Sequence, residues 1–248
     1  MNKIIQGDCL IEMQNIPDKS IDMILCDLPY GTTACKWDTI IPFEPLWEQY
    51  KRIIKDNGAI VLTASQPFTS ALVMSNPKMF RYCWVWEKSR SSTPMLAKKQ
   101  PMRFHEDVCV FYKNQPTYNP IMTKGAKNHA SKSGKGVVRI HGDRASFFQE
   151  NTSDMKYPRS VQFFKSTDST RNLHPTQKPV ALFEYLIKTY TSVGDTILDN
   201  CIGSGTTAVA AINTGRNFIG IEMDKGYCDI SNKRIREAKE KLASKLSL

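Results

Sequence analysis

Residues 21–31 read Ile-Asp-Met-Ile-Leu-Cys-Asp-Leu-Pro-Tyr-Gly. The run Ile21 to Cys26 is short and largely apolar, which predicts a buried strand of a parallel sheet. It stops at an acid, Asp27, followed by Leu28, a backbone-fixing Pro29, an aromatic Tyr30 and Gly31. In open α/β sheets, ligands lie outside the carboxyl ends of strands. The stretch therefore predicts one carboxylate, two stiffly held carbonyls and one ring at a ligand crevice. An ordinary strand-to-turn junction accounts for the same residues, since Asp-x-Pro-Tyr is sound turn chemistry.

The chemistry open to such a tetrad is specific. The amino group of a nucleobase is a poor nucleophile because its lone pair is delocalised into the ring. Two acceptors holding both N–H bonds return that pair to nitrogen, and Asp27 and the Leu28 carbonyl are two such acceptors. Pro29 fixes its own φ and pushes Leu28 towards extended backbone. Tyr30 offers a face for a planar base turned out of a duplex.

The chain has 248 residues, room for one large α/β domain with an insertion or for two small domains. Its net charge of +10 favours a polyanionic partner, foremost nucleic acid. The seven cysteines form no Cys-x-x-Cys pair, and Cys26, Cys83 and Cys109 lie in apolar runs, as reduced thiols of a cytoplasmic protein do. His105, His129, His141 and His174 show no metal-ligand spacing, so no metal is expected. The first residues do not form a signal peptide, and no apolar run is long enough to span a bilayer.

Upstream of the tetrad, Lys3 to Gln6 predicts a strand, followed by Gly7-Asp8-Cys9 and a helical spacing of Leu10, Ile11, Met13 and Ile16. Asp8 is either a helix cap or a ligand-facing acid. Downstream, Gly31 to Asp38 predicts a loop over a ligand, with Trp37 and Asp38 as candidate contacts. Phe43, Leu46, Trp47, Tyr50 and Ile54 predict an amphipathic helix over 42–55, closed by Asn57-Gly58. Further elements are a strand over 59–63, a helix over 66–75 and strands over 81–87 and 104–112. The polar loop 89–103 carries Arg90, Lys98, Lys99 and Arg103.

From about 118 to 171 regular periodicity fades. Between Ile121 and Arg171, ten Lys or Arg stand against four Asp or Glu, a balance of +6, with Phe147, Phe148, Tyr157, Phe163 and Phe164 interleaved. Basic residues among rings suit phosphate contact and base stacking. The expected division is thus 1–118 with 172–248 as one domain and 119–171 as an inserted recognition segment. Gly134-Lys135-Gly136 lacks the spacing of a phosphate loop.

His174-Pro175-Thr176-Gln177-Lys178-Pro179 then opens a helix over 180–190, with Thr176 as candidate cap. Polar groups at such a helix start can hold a carboxylate. A strand over 195–200 runs through Cys201-Ile202-Gly203-Ser204-Gly205-Thr206-Thr207 into a helix over 208–213. The next strand, 217–221, ends at Glu222. Strand, glycine turn, helix, strand and acid is the arrangement of a Rossmann-type nucleotide site, the acid holding ribose hydroxyls. A last basic helix covers 227–242, and its tail predicts a solvated face.

Four motifs carry a resemblance. Asp27-Leu28-Pro29-Tyr30 resembles the [Asp/Asn/Ser]-Pro-Pro-[Tyr/Phe/Trp] signature of the DNA amino-methyltransferases, with Leu28 in place of the first proline. Gly7-Asp8 and His174 to Pro179 resemble that family's corresponding segments. Asp199 with Ile202 to Thr206 resembles Asp-Pro-Phe-x-Gly-Ser-Gly-Thr, with Asn200 and Cys201 replacing Pro and Phe. The order, tetrad first and glycine turn last, resembles the permuted beta group of the adenine-N6/cytosine-N4 enzymes.

The resemblance implies a Rossmann-like, mostly parallel twisted sheet with helices on both faces, binding S-adenosylmethionine at the carboxyl ends of its strands. It implies transfer of the methyl to the N6 amino group of adenine in DNA, by base flipping and direct in-line transfer. Asp27, Leu28, Pro29 and Tyr30 would be catalytic. Cofactor contacts would come from Asp8, Cys9, Asp27, His174, Thr176, Gln177, Lys178, Asp199, Gly203, Ser204, Gly205, Thr206, Glu222 and Met223. Asp8 would lie near the cofactor's adenine and the His174 hexapeptide near its methionine end. Arg90, Lys98, Lys99, Lys124, Lys132, Lys135, Arg139 and Arg144 would face double-stranded DNA. A homodimer and a cognate restriction endonuclease are further partners in this implication. Alternatives are transfer to the N4 amino group of cytosine, an RNA substrate, or a nicotinamide-dependent oxidoreductase built on the glycine turn.

Overall fold

The computed structural model describes residues 2–33, 35, 38–126, 154–166 and 177–246. Trp37, Lys132, Lys135, Arg139, Arg144, Phe147, Phe148, His174 and Thr176 lie outside the described residues. The chain forms two compact units, one of Met1–Asn119 with Ser160–Leu248, the other Pro120–Arg159.

The larger unit holds an eight-stranded sheet. Its elements in chain order are β1 (Lys3–Gln6), α1 (Cys9–Glu12), β2 (Ile21–Asp27), α2 (Phe43–Ile53), β3 (Ile54–Ala64), α3 (Phe68–Ser75), β4 (Phe80–Lys88) and β5 (His105–Phe111). In the smaller unit, β6 (Thr123–Lys124) and β7 (Met155–Lys156) pair antiparallel. The larger unit resumes with β8 (Val161–Phe164), α4 (Val180–Tyr190), β9 (Thr196–Asp199), α5 (Thr206–Asn213), β10 (Asn217–Glu222) and α6 (Lys225–Leu246).

The strand order is β1-β10-β9-β2-β3-β5-β4-β8. From β1 to β3 every pairing is parallel; β5 runs antiparallel to β3 and to β4, and β8 runs parallel to β4. Alternation along the strands builds two cores. Met23, Leu25 and Val61 face α4, α5 and α6 through Leu182, Phe183, Ala208 and Ile235. Ile24, Cys26 and Leu62 face α2 and α3 through Leu46, Trp47, Phe68 and Leu72. Strands buried on both faces are why their sequences read as continuous apolar runs.

Two boundaries depart from the sequence reading. Asn57-Gly58 does not close a helix: α2 stops at Ile53 and β3 starts at Ile54. The register jumps from Ile21↔Ile54 to Met23↔Ala59, so Lys55 to Gly58 form a bulge inside β3. A Cβ on Gly58 would sit 2.8 Å from the Asp22 carbonyl oxygen, so only glycine fits that bulge. The segment 119–171 is also not uniform. Val161–Phe164 joins the main sheet beside β4, and Phe164 packs on Tyr185 of α4, with ring centroids 5.6 Å apart.

β2 is followed by β3 on one side, whereas β9 is followed by β10 on the other. The crevice between β2 and β9 is therefore the switch point of the sheet, the place where open α/β sheets take ligands.

Candidate active site

At that edge the parallel strands end side by side. Across β1, β10, β9 and β2 stand Asp8, Glu222, the glycine turn and Asp27, spread over three inter-strand spacings, about 14 Å. Because β5 is antiparallel, its first residues lie on the same edge: Thr63 pairs with Val108 and Glu87 with His105. Glu106 and Lys88 thereby reach the neighbourhood of Asp27.

Asp27 is held by three donors. Its Oδ1 accepts from the Tyr30 hydroxyl at 2.8 Å and from the Thr63 hydroxyl, and its Oδ2 accepts from Lys178 Nζ at 2.6 Å. Each carboxylate oxygen offers two acceptor sites. Oδ1 is therefore filled, and Oδ2 keeps one site among the described residues. Tyr30 stacks on Phe68, with centroids 5.1 Å apart and planes 24° from parallel, which occupies one face of its ring. Burial, then the charge of Asp27, pushes the Tyr30 hydroxyl well above the usual phenol range, so it stays a neutral donor.

Lys178 departs from its expected place. The resemblance puts it with the cofactor residues; the structure buries it, 6 % exposed, against Asp27 and 3.4 Å from Glu106 Oε2. Burial alone would lower its ammonium, but the charges of Asp27 and Glu106 outweigh burial and raise it. Glu106 also pairs with Lys88. The result is a row of alternating charges, Lys88, Glu106, Lys178 and Asp27, with Lys178 buried and the others half-buried, in which each charge has an opposite neighbour.

The glycine turn is assembled from the other side of the crevice. Gly203 and Gly205 have positive φ, 51° and 85°. Ile202 N–H donates to the Ile221 carbonyl at 3.0 Å, tying the turn to β10. Glu222 Oε2 accepts from Gly203 N–H and its Oε1 from Asp224 N–H, both at 2.9 Å. Burial raises the Glu222 carboxyl, although these amide donors oppose the shift. Beyond these bonds the carboxylate keeps acceptor capacity among the described residues, which suits the hydroxyl donors of a vicinal diol. Met223 beside it is 66 % exposed. The Ser204 hydroxyl lies 3.3 Å from Gln177 Oε1, and the Thr206 hydroxyl donates to the Lys178 carbonyl at 3.4 Å, so the end of the hexapeptide rests on the turn. A ribose-accepting acid, a left-handed glycine turn and a helix start along one sheet edge fit a nucleoside cofactor.

Three acids do local work, Asp8 in the cap role open to it from the sequence, Asp199 and Asp38 in place of the expected ligand contact. Asp8 caps α1, accepting from Leu10 N–H at 2.8 Å. Asp199, 3 % exposed, accepts from Cys201 N–H at 3.0 Å and from the Thr207 hydroxyl, so it clamps the glycine turn. Burial pushes its carboxyl up to about 7. Asp38 accepts from Gly31, Thr32 and Thr33 N–H at 2.7 to 2.9 Å, which closes the loop after Tyr30 on itself. Burial opposes ionisation there, but the bonds from Thr33 and the three amides outweigh it, and the carboxyl is lowered.

Sequence reading missed Thr63, Phe68, Lys88, Glu106 and Arg234. Arg234 lies in the middle of α6, and its guanidinium donates to the Ser204 carbonyl and hydroxyl, at 2.5 and 3.0 Å. Burial lowers its pKa. Cys201 stands where the resemblance expects an aromatic. It lies within hydrogen-bond reach of Cys9 and Cys26, and burial, the largest cause, lifts the Cys26 thiol to about 12. All seven cysteines are free thiols. Arg90, Lys98, Lys99 and Lys124 are exposed. No described helix is long and apolar enough to cross a membrane.

Comparison with known proteins gives the same reading. The chain is 30 % identical to the DNA adenine methyltransferase YhdJ of Escherichia coli K12, over 98 % of this chain and 86 % of that protein. It is 25 % identical to the type II methyltransferase M.HinfI of Haemophilus influenzae, over 96 % of this chain and 69 % of the relative. Among solved structures, the M1.HpyAVI–SAM complex superposes with a TM-score of 0.66 at 24 % identity, covering 95 % of this chain and 99 % of that one. The cytosine-N4-specific PvuII DNA methyltransferase superposes at 0.67 and 14 % identity, over 96 % of this chain and 90 % of that one. The profile of the N6/N4 methyltransferases, described as DNA methylase, matches residues 21–233. With that profile over most of its length, this chain belongs to the N6/N4 family of DNA methylases and is a DNA methyltransferase.

Proposed function

We propose that the enzyme transfers the methyl group of S-adenosylmethionine to the N6 amino group of an adenine turned out of duplex DNA. The observation that carries the proposal is Asp27 at the switch point, with one acceptor site left on Oδ2 and the Leu28 carbonyl next to it in the chain. Two acceptors on one amine localise its lone pair, and Asp27 stabilises the positive charge that grows on nitrogen as it attacks. The proton the amine then sheds has Asp27 Oδ2 as its nearest acceptor. Tyr30 orients the base with its remaining face, and Pro29 keeps the Leu28 carbonyl in place. Much of the acceleration comes from holding two reactants in line.

When bound, S-adenosylmethionine supplies a methyl on a positively charged sulfur, a leaving group that is already activated. Glu222 would hold its ribose and Gly203 to Thr206 its turn-facing side. Asp8, Cys9 and Met223 would border the adenine; Gln177, with His174 and Thr176, the methionine end. Asp199 and Arg234 act on it through the turn they clamp. Arg90, Lys98 and Lys99 in unit one, and Lys124 with Lys132, Lys135, Arg139 and Arg144 in the inserted segment, would meet DNA phosphates and base edges. Adenine is favoured over cytosine by the aspartate at the first tetrad position and by a relative named as a DNA adenine methyltransferase.

The test is product identification. The protein is incubated with S-adenosylmethionine and unmethylated bacterial DNA or RNA, and the nucleosides are separated by mass spectrometry. N6-methyladenine from DNA is the expected result. N4-methylcytosine would overturn the assignment of the base, and product from RNA alone would overturn that of the substrate.

A further inference from the structure

The cofactor reading leaves Lys178 unused, yet Lys178 is the cation nearest the catalytic carboxylate. Its Nζ is 2.6 Å from Asp27 Oδ2, 3.4 Å from Glu106 Oε2 and 5.4 Å from the Tyr30 ring centroid. The ammonium has three N–H donors. One serves Asp27 and the ammonium pairs with Glu106, which leaves donor capacity on Nζ beside Asp27 Oδ2.

Asp27 Oδ2 and Lys178 Nζ thus form an acceptor and a donor side by side, at hydrogen-bond separation. The complementary partner is a donor next to an acceptor. Adenine presents this pair on its pairing edge as the N6 amino group beside the unprotonated N1, and cytosine as the N4 amino group beside N3. Guanine and thymine present the reverse, a carbonyl oxygen beside a ring N–H. A buried ammonium facing a ring N–H would be two donors in contact, a costly arrangement in a dry site.

We infer that Lys178 reads the target base: its ammonium donates to the ring nitrogen beside the amino group while Asp27 and the Leu28 carbonyl accept from the amino group. This rests on the amino-transfer reading of the site above. Glu106 and Lys88 are positioning residues, since Glu106 stands between two ammonium groups and fixes where Lys178 points. The pair admits adenine and cytosine alike and rejects guanine and thymine, so the choice between the first two falls to pocket size elsewhere.

The test deletes the atom that Lys178 is said to touch. Duplexes carrying the site methylated by the wild-type protein are made with adenine, 1-deazaadenine or 3-deazaadenine at the target, opposite an abasic position so that no analogue differs in pairing. Dissociation constants are measured with S-adenosylhomocysteine present, for wild type, Lys178→Met and Lys178→Arg. Wild type should lose about tenfold to a hundredfold on 1-deazaadenine and far less on 3-deazaadenine, the range of a hydrogen bond from a charged donor. Lys178→Met should bind adenine and 1-deazaadenine within about twofold of each other, and Lys178→Arg should regain part of the preference. Equal losses on the two analogues in wild type, which needs no variant to fold, would overturn the inference even if adenine is methylated normally. Absence of methyl transfer to the natural duplex would remove the reading beneath it as well.

Discussion

Replacing Glu222 by glutamine gives a quantitative prediction for the cofactor half of the site. The carboxylate accepts from Gly203 and Asp224 N–H, each at 2.9 Å, and keeps acceptor capacity for the ribose hydroxyls. Glutamine keeps one carbonyl oxygen and turns an NH2 group towards the other partners. One of two charge-assisted bonds to the ribose diol is then lost, and one turn amide loses its acceptor. A hydrogen bond to a charged group is worth about 1.5–3 kcal/mol, so a loss of about 2 kcal/mol corresponds to roughly 30-fold weaker binding. Isothermal titration of S-adenosylhomocysteine into wild type and Glu222→Gln reads this directly, with fluorescence anisotropy of a DNA duplex as the control. DNA affinity should stay within about twofold. A change of less than about threefold in cofactor affinity would refute the ribose assignment and the lone-pair argument behind it.

Three further outcomes follow from the structure. Burial pushes the Asp199 carboxyl up to about 7, above the usual aspartate value of about 4. Between those values the folded chain holds a proton that the unfolded chain has released, so stability falls as pH rises from 4 to 7, by roughly 4 kcal/mol. Urea unfolding of Asp199→Asn should show a flatter pH profile than wild type over that window; an unchanged slope would remove the assignment. Gly205→Ala should cost roughly 2–4 kcal/mol, combining left-handed backbone with overpacking, because φ is 85° and the new Cβ would lie 2.8 Å from Ser231 Oγ. An unchanged thermal midpoint would contradict it. Lys98→Ala with Lys99→Ala should lower the slope of log affinity against log salt by about 1.8 if both lysines meet phosphate, and leave it untouched if they are solvated.

The parts of the site that lie on one stretch of chain were legible in the sequence. Asp27 at the end of β2 and the glycine turn between β9 and α5 are announced by apolar runs that stop at acids and small residues. What was not legible depends on register between distant strands. Glu106 reaches Asp27 only because β5 runs back along the sheet, and Lys88 because β4, paired to β5, ends at the same edge; no local pattern marks that pairing. Lys178 was read by the company of its hexapeptide, whereas its partner lies 151 residues away. Asp199 and Asp38 look like ligand-facing acids until the nearby amide donors are counted, a check the turn sequences themselves would have allowed. Arg234 sits on a helix whose outer face is charged, and charge patterning does not separate a buried guanidinium from its solvated neighbours.

The central claim is that Asp27 holds the amine that accepts the methyl group. Single-turnover transfer from radiolabelled S-adenosylmethionine to duplex DNA, by wild type and by Asp27→Ala, tests it most directly, with cofactor and DNA affinities measured alongside. The account predicts loss of transfer with both affinities largely kept. Transfer at a rate near wild type by Asp27→Ala would contradict it.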